Sequence, residues 1–213
     1  MISNGNKLLD KKRKKRTPNL EAKDLIDFEK EVAKRYEAGE INGPIHLSSG
    51  NEKQLLHIFQ FVDKNDWVFS AWRNHYHALL HGIKEKDLMK KILDGKSMGV
   101  VSKDPKFYSS SIVTGSIPSA LGVSLSEKKK NSNKNVWCFI GDMTYETGVF
   151  WEAYKYSQNF NLPLIFVIED NGKSVTSDTK SAWGKKMDLL PNIIHYEYSS
   201  EYPHHGTGNW VNF

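Results

Sequence analysis

A layered α/β domain, built on a parallel sheet with helices on both faces, is the architecture this sequence predicts. Two apolar runs carry the prediction, "NVWCFI" (135–140) and "LPLIFVI" (162–168). Both are short and rich in branched and aromatic residues, the pattern of strands covered on both faces. Between them "TGVFWEAYKYSQNF" (147–160) has helical composition and length. Strand, helix and strand within about 35 residues form a right-handed crossover with parallel strands.

The remaining elements follow in order. Thr17-Pro18 predicts a helix start, a capping hydroxyl before proline at the first helical position. Behind it Leu25, Ile26, Val32, Ala33 and Tyr36 recur with helical period, until "NGP" (42–44) breaks the pattern. "EKQLLHIFQFV" (52–62) predicts a second helix and "WVFSAW" (67–72) a short strand. "KEKDLMKKILDG" (84–95) predicts a third helix that ends with Gly95 at its C′ position. Residues 96–111 have no clear period and are expected to form a surface loop. "PSALGVSLSEKKK" (118–130) restarts a helix at Pro118, and "IIHYEY" (193–198) predicts a further strand.

Composition narrows the class. At 213 residues, 38% of them apolar, and with a mean hydropathy of −0.57, the chain suits one soluble core. Its apolar runs fall far short of a bilayer span. No apolar signal segment follows the basic start, and Cys138, the single cysteine, lies inside an apolar run as a core thiol would. A cytoplasmic protein is expected. Six positive charges fall in "KKRKKR" (11–16), more than the whole net charge of +5, so the rest of the chain is near neutral. The expected organisation is a basic, disordered tail over 1–18 and a single domain over 19–213. Nucleic-acid contact through the tail is the lesser reading, because no other segment has such a signature.

In open parallel sheets ligands sit beyond the carboxyl ends of the strands. Asp142 ends the first buried strand, and "EDNGK" (169–173) ends the second. A carboxylate, an amide oxygen and a loop carbonyl suit a hard cation such as Mg²⁺, which completes its shell with phosphate and water. The following helix would aim its first amides at the same crevice, as a diphosphate requires. The same residues also suit plain structure: Asp caps helices, and Asn-Gly makes turns.

The pair "GDM" (141–143) and "EDN" (169–171) resembles the Gly-Asp-Gly…Asn-Asn motif of thiamine diphosphate enzymes, at the spacing of 2-oxoacid and acetoin dehydrogenase alpha subunits. Four further stretches resemble the same family in the same order. They are "HLSSGNE" (46–52), "SAWRNHYHALLHG" (70–82), "SSIVTGSIPSALGVSLSEKK" (110–129) and "FWEAYKYSQNFNLPLIFVIEDN" (150–171), so that the likeness spans about residues 41–183.

The resemblance implies a thiamine diphosphate-binding fold shortened at the C-terminus, with thiamine diphosphate and Mg²⁺ as cofactors. Asp142, Asn171 and the Lys173 carbonyl would hold the metal. Arg73 would grip the terminal phosphate, Trp72 stands where the family usually has a tyrosine, and Gly141 and Met143 flank the diphosphate. Ser111 and Val113 match positions beside the aminopyrimidine ring. His81 or His77 would handle protons at the substrate, and His204 and His205 resemble a late His-rich loop near the cofactor. The glutamate that activates the cofactor sits, in the family, on a pyrimidine-binding domain for which this chain has no room. The resemblance therefore implies a beta-type partner, an α₂β₂ assembly and a 2-oxoacid or ketol substrate, with an acceptor such as a lipoyl carrier. A transketolase-like half-enzyme is the neighbouring reading.

Three departures motivate a rival reading as a non-catalytic structural or regulatory partner: Met143 for the second glycine, Trp72 for tyrosine, and a short C-terminal part. Asp170, in place of the first asparagine, is expected to add negative charge near the metal. A zinc cluster of His75, His77 and His81 is a weaker alternative, as no cysteine or acidic pattern accompanies them.

Overall fold

The computed structural model describes residues 8–9, 14–184 and 188–211. Six strands form one sheet: β1 (Trp67–Ser70), β2 (Val101–Ser102), β3 (Phe107–Ser109), β4 (Val136–Gly141), β5 (Leu164–Asp170) and β8 (Ile193–Glu197). Their spatial order is β2-β3-β1-β4-β5-β8, and every neighbouring pair is parallel except β2 with β3. A separate antiparallel hairpin, β6 (Lys173–Ser174) and β7 (Ser177–Asp178), follows β5 directly.

Alternation along the strands splits the core into two layers, as a pleated sheet demands. Trp137, Phe139, Ile165, Val167 and Ile194 face one side. There they pack with α1 (Ala22–Glu37), α2 (Glu52–Ile58), α3 (His75–His81) and α4 (Glu85–Leu93), through Leu25, Val32, Leu55, Ala78 and Leu88. Val136, Cys138, Ile140, Phe166 and Ile168 face the other side. These pack with α5 (Ser116–Lys129) and α7 (Gly148–Asn159) through Ile117, Ala120, Phe150 and Ala153. Two short helices, α6 (Asp142–Tyr145) and α8 (Thr179–Trp183), follow β4 and β7. Cys138 is a core thiol whose pKa burial pushes up to about 12.

The β4-α7-β5 crossover matches the sequence expectation closely, and Thr147 caps α7 by accepting the Phe150 amide. Gly95, at φ +73°, takes the predicted C′ position behind α4. Other expectations are corrected. Helix α1 starts at Ala22, where the Glu21 amide donates to the Asp24 carboxylate at 2.7 Å, and not at Thr17-Pro18. The second helix stops at Ile58, four residues early. Residues 96–111 hold β2 and β3 besides their loops, because strands this short owe their form to pairing rather than to period.

Arg16, the last residue of the basic run, is held by backbone carbonyls. It donates from Nε to the Val62 carbonyl at 3.0 Å and from Nη2 to the Leu80 carbonyl at 2.6 Å, over the Phe59 ring. Leu9 lies in the core. Lys11, Lys12 and Arg13 lie outside the described residues. No helix among the described residues is long and apolar enough to cross a membrane.

Candidate functional site

The strand order reverses beside β1: the chain passes from β1 to β3 on one side, then returns to β4 on the other. Such a switch opens a crevice at the carboxyl ends of the two strands. A cleft of about 680 Å³, partly open to solvent, lies there. Trp72 and Arg73 follow β1 and form one wall; Gly141 ends β4 and forms the floor with Asp142 and Met143, which follow it. Asn171, Lys173 and Val175 supply the opposite wall, Val113 part of the rim, and Tyr198 and His204 the C-terminal side.

Sequence motifs thus converge where the topology predicts. Of the residues expected to bind cofactor, Trp72, Arg73, Val113, Gly141, Asp142, Met143, Asn171 and Lys173 all line the cleft. Ser111 is exposed and outside this lining.

Asp142 is buried, and its Oδ2 accepts the Thr179 hydroxyl at 2.5 Å. Asn171 Oδ1 accepts the Lys173 amide at 3.1 Å, one bond for an oxygen with two lone pairs. Met143 sits in the first turn of α6 and has no positive φ, so the missing second glycine creates no backbone conflict. The Trp183 indole N–H donates to the Met143 sulfur. Arg73 staples two segments: Nε donates to the Leu47 carbonyl at 2.9 Å and Nη2 to the His204 carbonyl at 3.0 Å. Val175, a β-branched residue at φ +56°, turns the β6–β7 hairpin in a conformation that costs about 1–3 kcal/mol.

Gly141 tests whether the floor suits a bound group. Its φ of −77° is open to any residue, and a Cβ built there would meet nothing within 4 Å. Neither conformation nor packing within the chain calls for glycine, and what its absent side chain leaves is open space beside Asp142. A carboxylate, an amide oxygen and a backbone carbonyl around that space make a hard-cation donor set. The residues present therefore fit a metal and diphosphate.

Asp170 does not act as expected. Its carboxylate lies on the sheet face opposite Glu169, where Oδ1 accepts the Gly172 amide at 2.8 Å and Oδ2 lies 3.2 Å from His195 Nε2. The strand period carries this charge away from the cleft.

The histidines also separate. His77 is buried behind the cleft, with Nε2 3.1 Å from Glu169 Oε1 and Nδ1 3.4 Å from Ser70 Oγ. His81 is not brought to the cleft. Helix α3 runs back from the carboxyl end of β1 at about 1.5 Å per residue, and buries His81 against Phe59 near Arg16. His75 pairs with Glu29 at 2.9 Å and with Ser97 Oγ at 3.0 Å, so these three histidines form no shared metal cluster.

Sequence reasoning missed several participants. His46, from the turn before α2, packs edge-on against His204, with centroids 4.9 Å apart, and lies 5.7 Å from the Trp72 ring. Burial, with Arg73 adding to it, lowers the His46 pKa to about 3. Tyr198 adds a phenol whose pKa burial raises. Both were illegible because the chain segments that carry them meet only in three dimensions. Ser49 Oγ accepts the Glu201 amide at 2.8 Å, and the Gly206 amide donates to the Ile45 carbonyl.

A sequence profile of the family described as "Dehydrogenase E1 component" matches residues 21–188. The chain is similar to the pyruvate dehydrogenase E1 component subunit alpha of Rickettsia bellii, 28% identical over 174 residues, which are 76% of this chain and 53% of that protein. Against the Rickettsia felis subunit of the same name it is 28% identical over 198 residues, 84% of this chain and 61% of that one. The chloroplastic subunit alpha-3 of Arabidopsis thaliana is 30% identical over 160 residues, 68% of this chain and 37% of the plant protein. The chain spans about half the length of the curated relatives it matches. With cleft, motifs and profile in agreement over the same residues, this chain belongs to the dehydrogenase E1 component family.

Proposed function

We propose that the chain is the alpha-type, diphosphate-binding component of a thiamine diphosphate- and Mg²⁺-dependent 2-oxoacid dehydrogenase. The observation that carries this reading is the gathering of Asp142, Asn171 and Arg73 around the open space beside Gly141. Asp142, Asn171 and the Lys173 carbonyl would hold the cation, and Arg73 would face the terminal phosphate with the donors its two staples leave free. When bound, the cofactor would supply a nucleophilic carbon and an electron sink for decarboxylation of a 2-oxoacid. The chain's own part is positional. Floor residues fix the diphosphate, the His46–Trp72–His204 cluster narrows the C-terminal side, and Glu169 closes the base.

The names of the relatives, "subunit alpha" of an E1 component, support a beta-type partner and an α₂β₂ assembly. In this reading the partner brings the pyrimidine-binding domain, so the isolated chain is inactive. A 2-oxoacid with a lipoyl acceptor fits the relatives better than a ketol. The rival reading, a non-catalytic partner, draws on Arg73, whose Nε and one Nη2 bond serve backbone carbonyls. Retained Asp142 and Asn171 favour the enzyme.

Calorimetric titration of thiamine diphosphate with Mg²⁺, into the chain alone and with a beta-type partner, tests the proposal. Saturable Mg²⁺-dependent heat that tightens with the partner and vanishes in Asp142→Ala supports it. No heat in a complex shown to form sinks it.

A further inference from the structure

Glu169 is held in a way that its place in the strand alone does not require. It is the register partner of Gly141, so its backbone lies beside the cleft floor, and its side chain points to the α3 face. One oxygen, Oε1, takes three donors: the Tyr196 hydroxyl, His77 Nε2 at 3.1 Å and Asn51 Nδ2 at 3.3 Å. On the other side of its ring, His77 Nδ1 lies 3.4 Å from Ser70 Oγ. Asn51 also donates to the Tyr196 hydroxyl at 3.1 Å, which closes the network on itself.

Among the described residues no donor lies on the second oxygen, Oε2, yet Glu169 lines the cleft. A carboxylate clamped through one oxygen is fixed in place, and a largely buried second oxygen demands a partner. Arg73, a strong cation of the same cleft, has two donors committed to the Leu47 and His204 carbonyls. Asp142 adds a second carboxylate to the same floor, so the local charge asks for a cation.

We propose that Glu169 Oε2 is the outer acceptor for water bound to the cation that Asp142 and Asn171 hold, a positioning residue for the hydrated metal rather than a ligand. A hard, small cation gives up its waters reluctantly and keeps several of them. Carboxylates just outside the ligand shell accept from such waters and orient them, and their loss typically costs ten- to hundred-fold in metal affinity. The assignment rests on the cation-binding part of the function proposed above. Within it His77 fixes the carboxylate and touches no reacting atom.

Mn²⁺ titration followed by electron paramagnetic resonance tests the assignment, on the full chain with thiamine diphosphate and a beta-type partner. Wild type, Asp142→Ala and Glu169→Gln are compared, with thermal unfolding of each. Glutamine keeps an oxygen for the three donors, so the fold is expected to survive while Mn²⁺ affinity falls roughly ten- to hundred-fold. Glu169→Asp, which keeps the charge but withdraws it by one methylene, should fall between. It also serves as the probe if glutamine perturbs folding. Wild-type affinity in both variants overturns the assignment, and so does a loss as complete as that of Asp142→Ala, which would make Glu169 a ligand. Absence of Mn²⁺ binding in the wild type overturns the cation reading itself, a separate result from either.

Discussion

The Thr179 hydroxyl donates to Asp142 Oδ2 at 2.5 Å, joining the start of α8 to the cleft floor across 37 residues of sequence. Both side chains are buried, so the bond forms away from competing water. It orients the carboxylate. Thr179→Val keeps the shape and removes the donor. Metal affinity should fall about tenfold, with unfolding easier by about 1 kcal/mol. Mn²⁺ titration and denaturant unfolding measure the two separately; unchanged affinity would show that the bond serves folding alone.

Gly50 meets the C-terminal segment without room for a side chain. Its φ is +78°, and a Cβ there would fall 2.0 Å from the Ser199 carbonyl oxygen. Gly50→Ala must both strain the backbone and push the 199–201 segment away from Ser49. We expect a loss of about 2–4 kcal/mol, read from denaturant unfolding. Cofactor affinity should fall with it, because His204 and Tyr198 reach the cleft from that segment. A variant as stable as wild type contradicts the close approach.

Asp66 anchors the amino end of the sheet. It is almost wholly buried, and it accepts the Trp137 indole N–H at 2.9 Å, the Asn135 amide at 2.8 Å and the Asp63 amide at 3.0 Å. Asp66→Ala leaves three donors unpaired, each costing about 1–3 kcal/mol where buried. The variant should be expressed at low yield or unfold several degrees early by calorimetry. Asp66→Asn keeps acceptance at one oxygen only and should be milder.

Acid should weaken this fold through two buried imidazoles. Burial first, then Arg73, lowers His46 to about 3; burial first, then Arg16, lowers His81 to about 4. Unfolded, each titrates near 6.5. Between those values the unfolded chain binds more protons than the folded one, so stability rises with pH there. As pH falls from about 6.5 towards 4, each group should remove stability at up to about 1.4 kcal/mol per pH unit; above 6.5 neither contributes. Urea midpoints from pH 4 to 8 check the slope, which His46→Asn should flatten.

The legible parts of this chain were those whose burial repeats over enough residues to leave a pattern. β4, α7 and β5 are long, continuous and separated by short turns, and their carboxyl ends assign Asp142 and Asn171 to one cleft from sequence alone. Helix α3 left no pattern, since all seven of its residues are buried and no polar face alternates with an apolar one. That hid the helix direction, and with it the fact that His77 backs the cleft while His81 ends at the far side of the layer. β2, β3, β6 and β7 are two or three residues long, below the reach of any period. The His46–His204 contact joins residues 158 positions apart through loops, where local sequence holds no information about proximity.

Strand β5 and the residue after it send three consecutive side chains to three destinations: Glu169 to the α3 face, Asp170 to the opposite face, and Asn171 to the loop beyond. Because the side-chain period is two, removing one residue upstream in the strand would bring Asp170 to the first address and Asn171 to the second. The cleft would then receive the His195-paired carboxylate and lose the one clamped by His77. This short stretch can therefore accept a replacement more readily than a change of length.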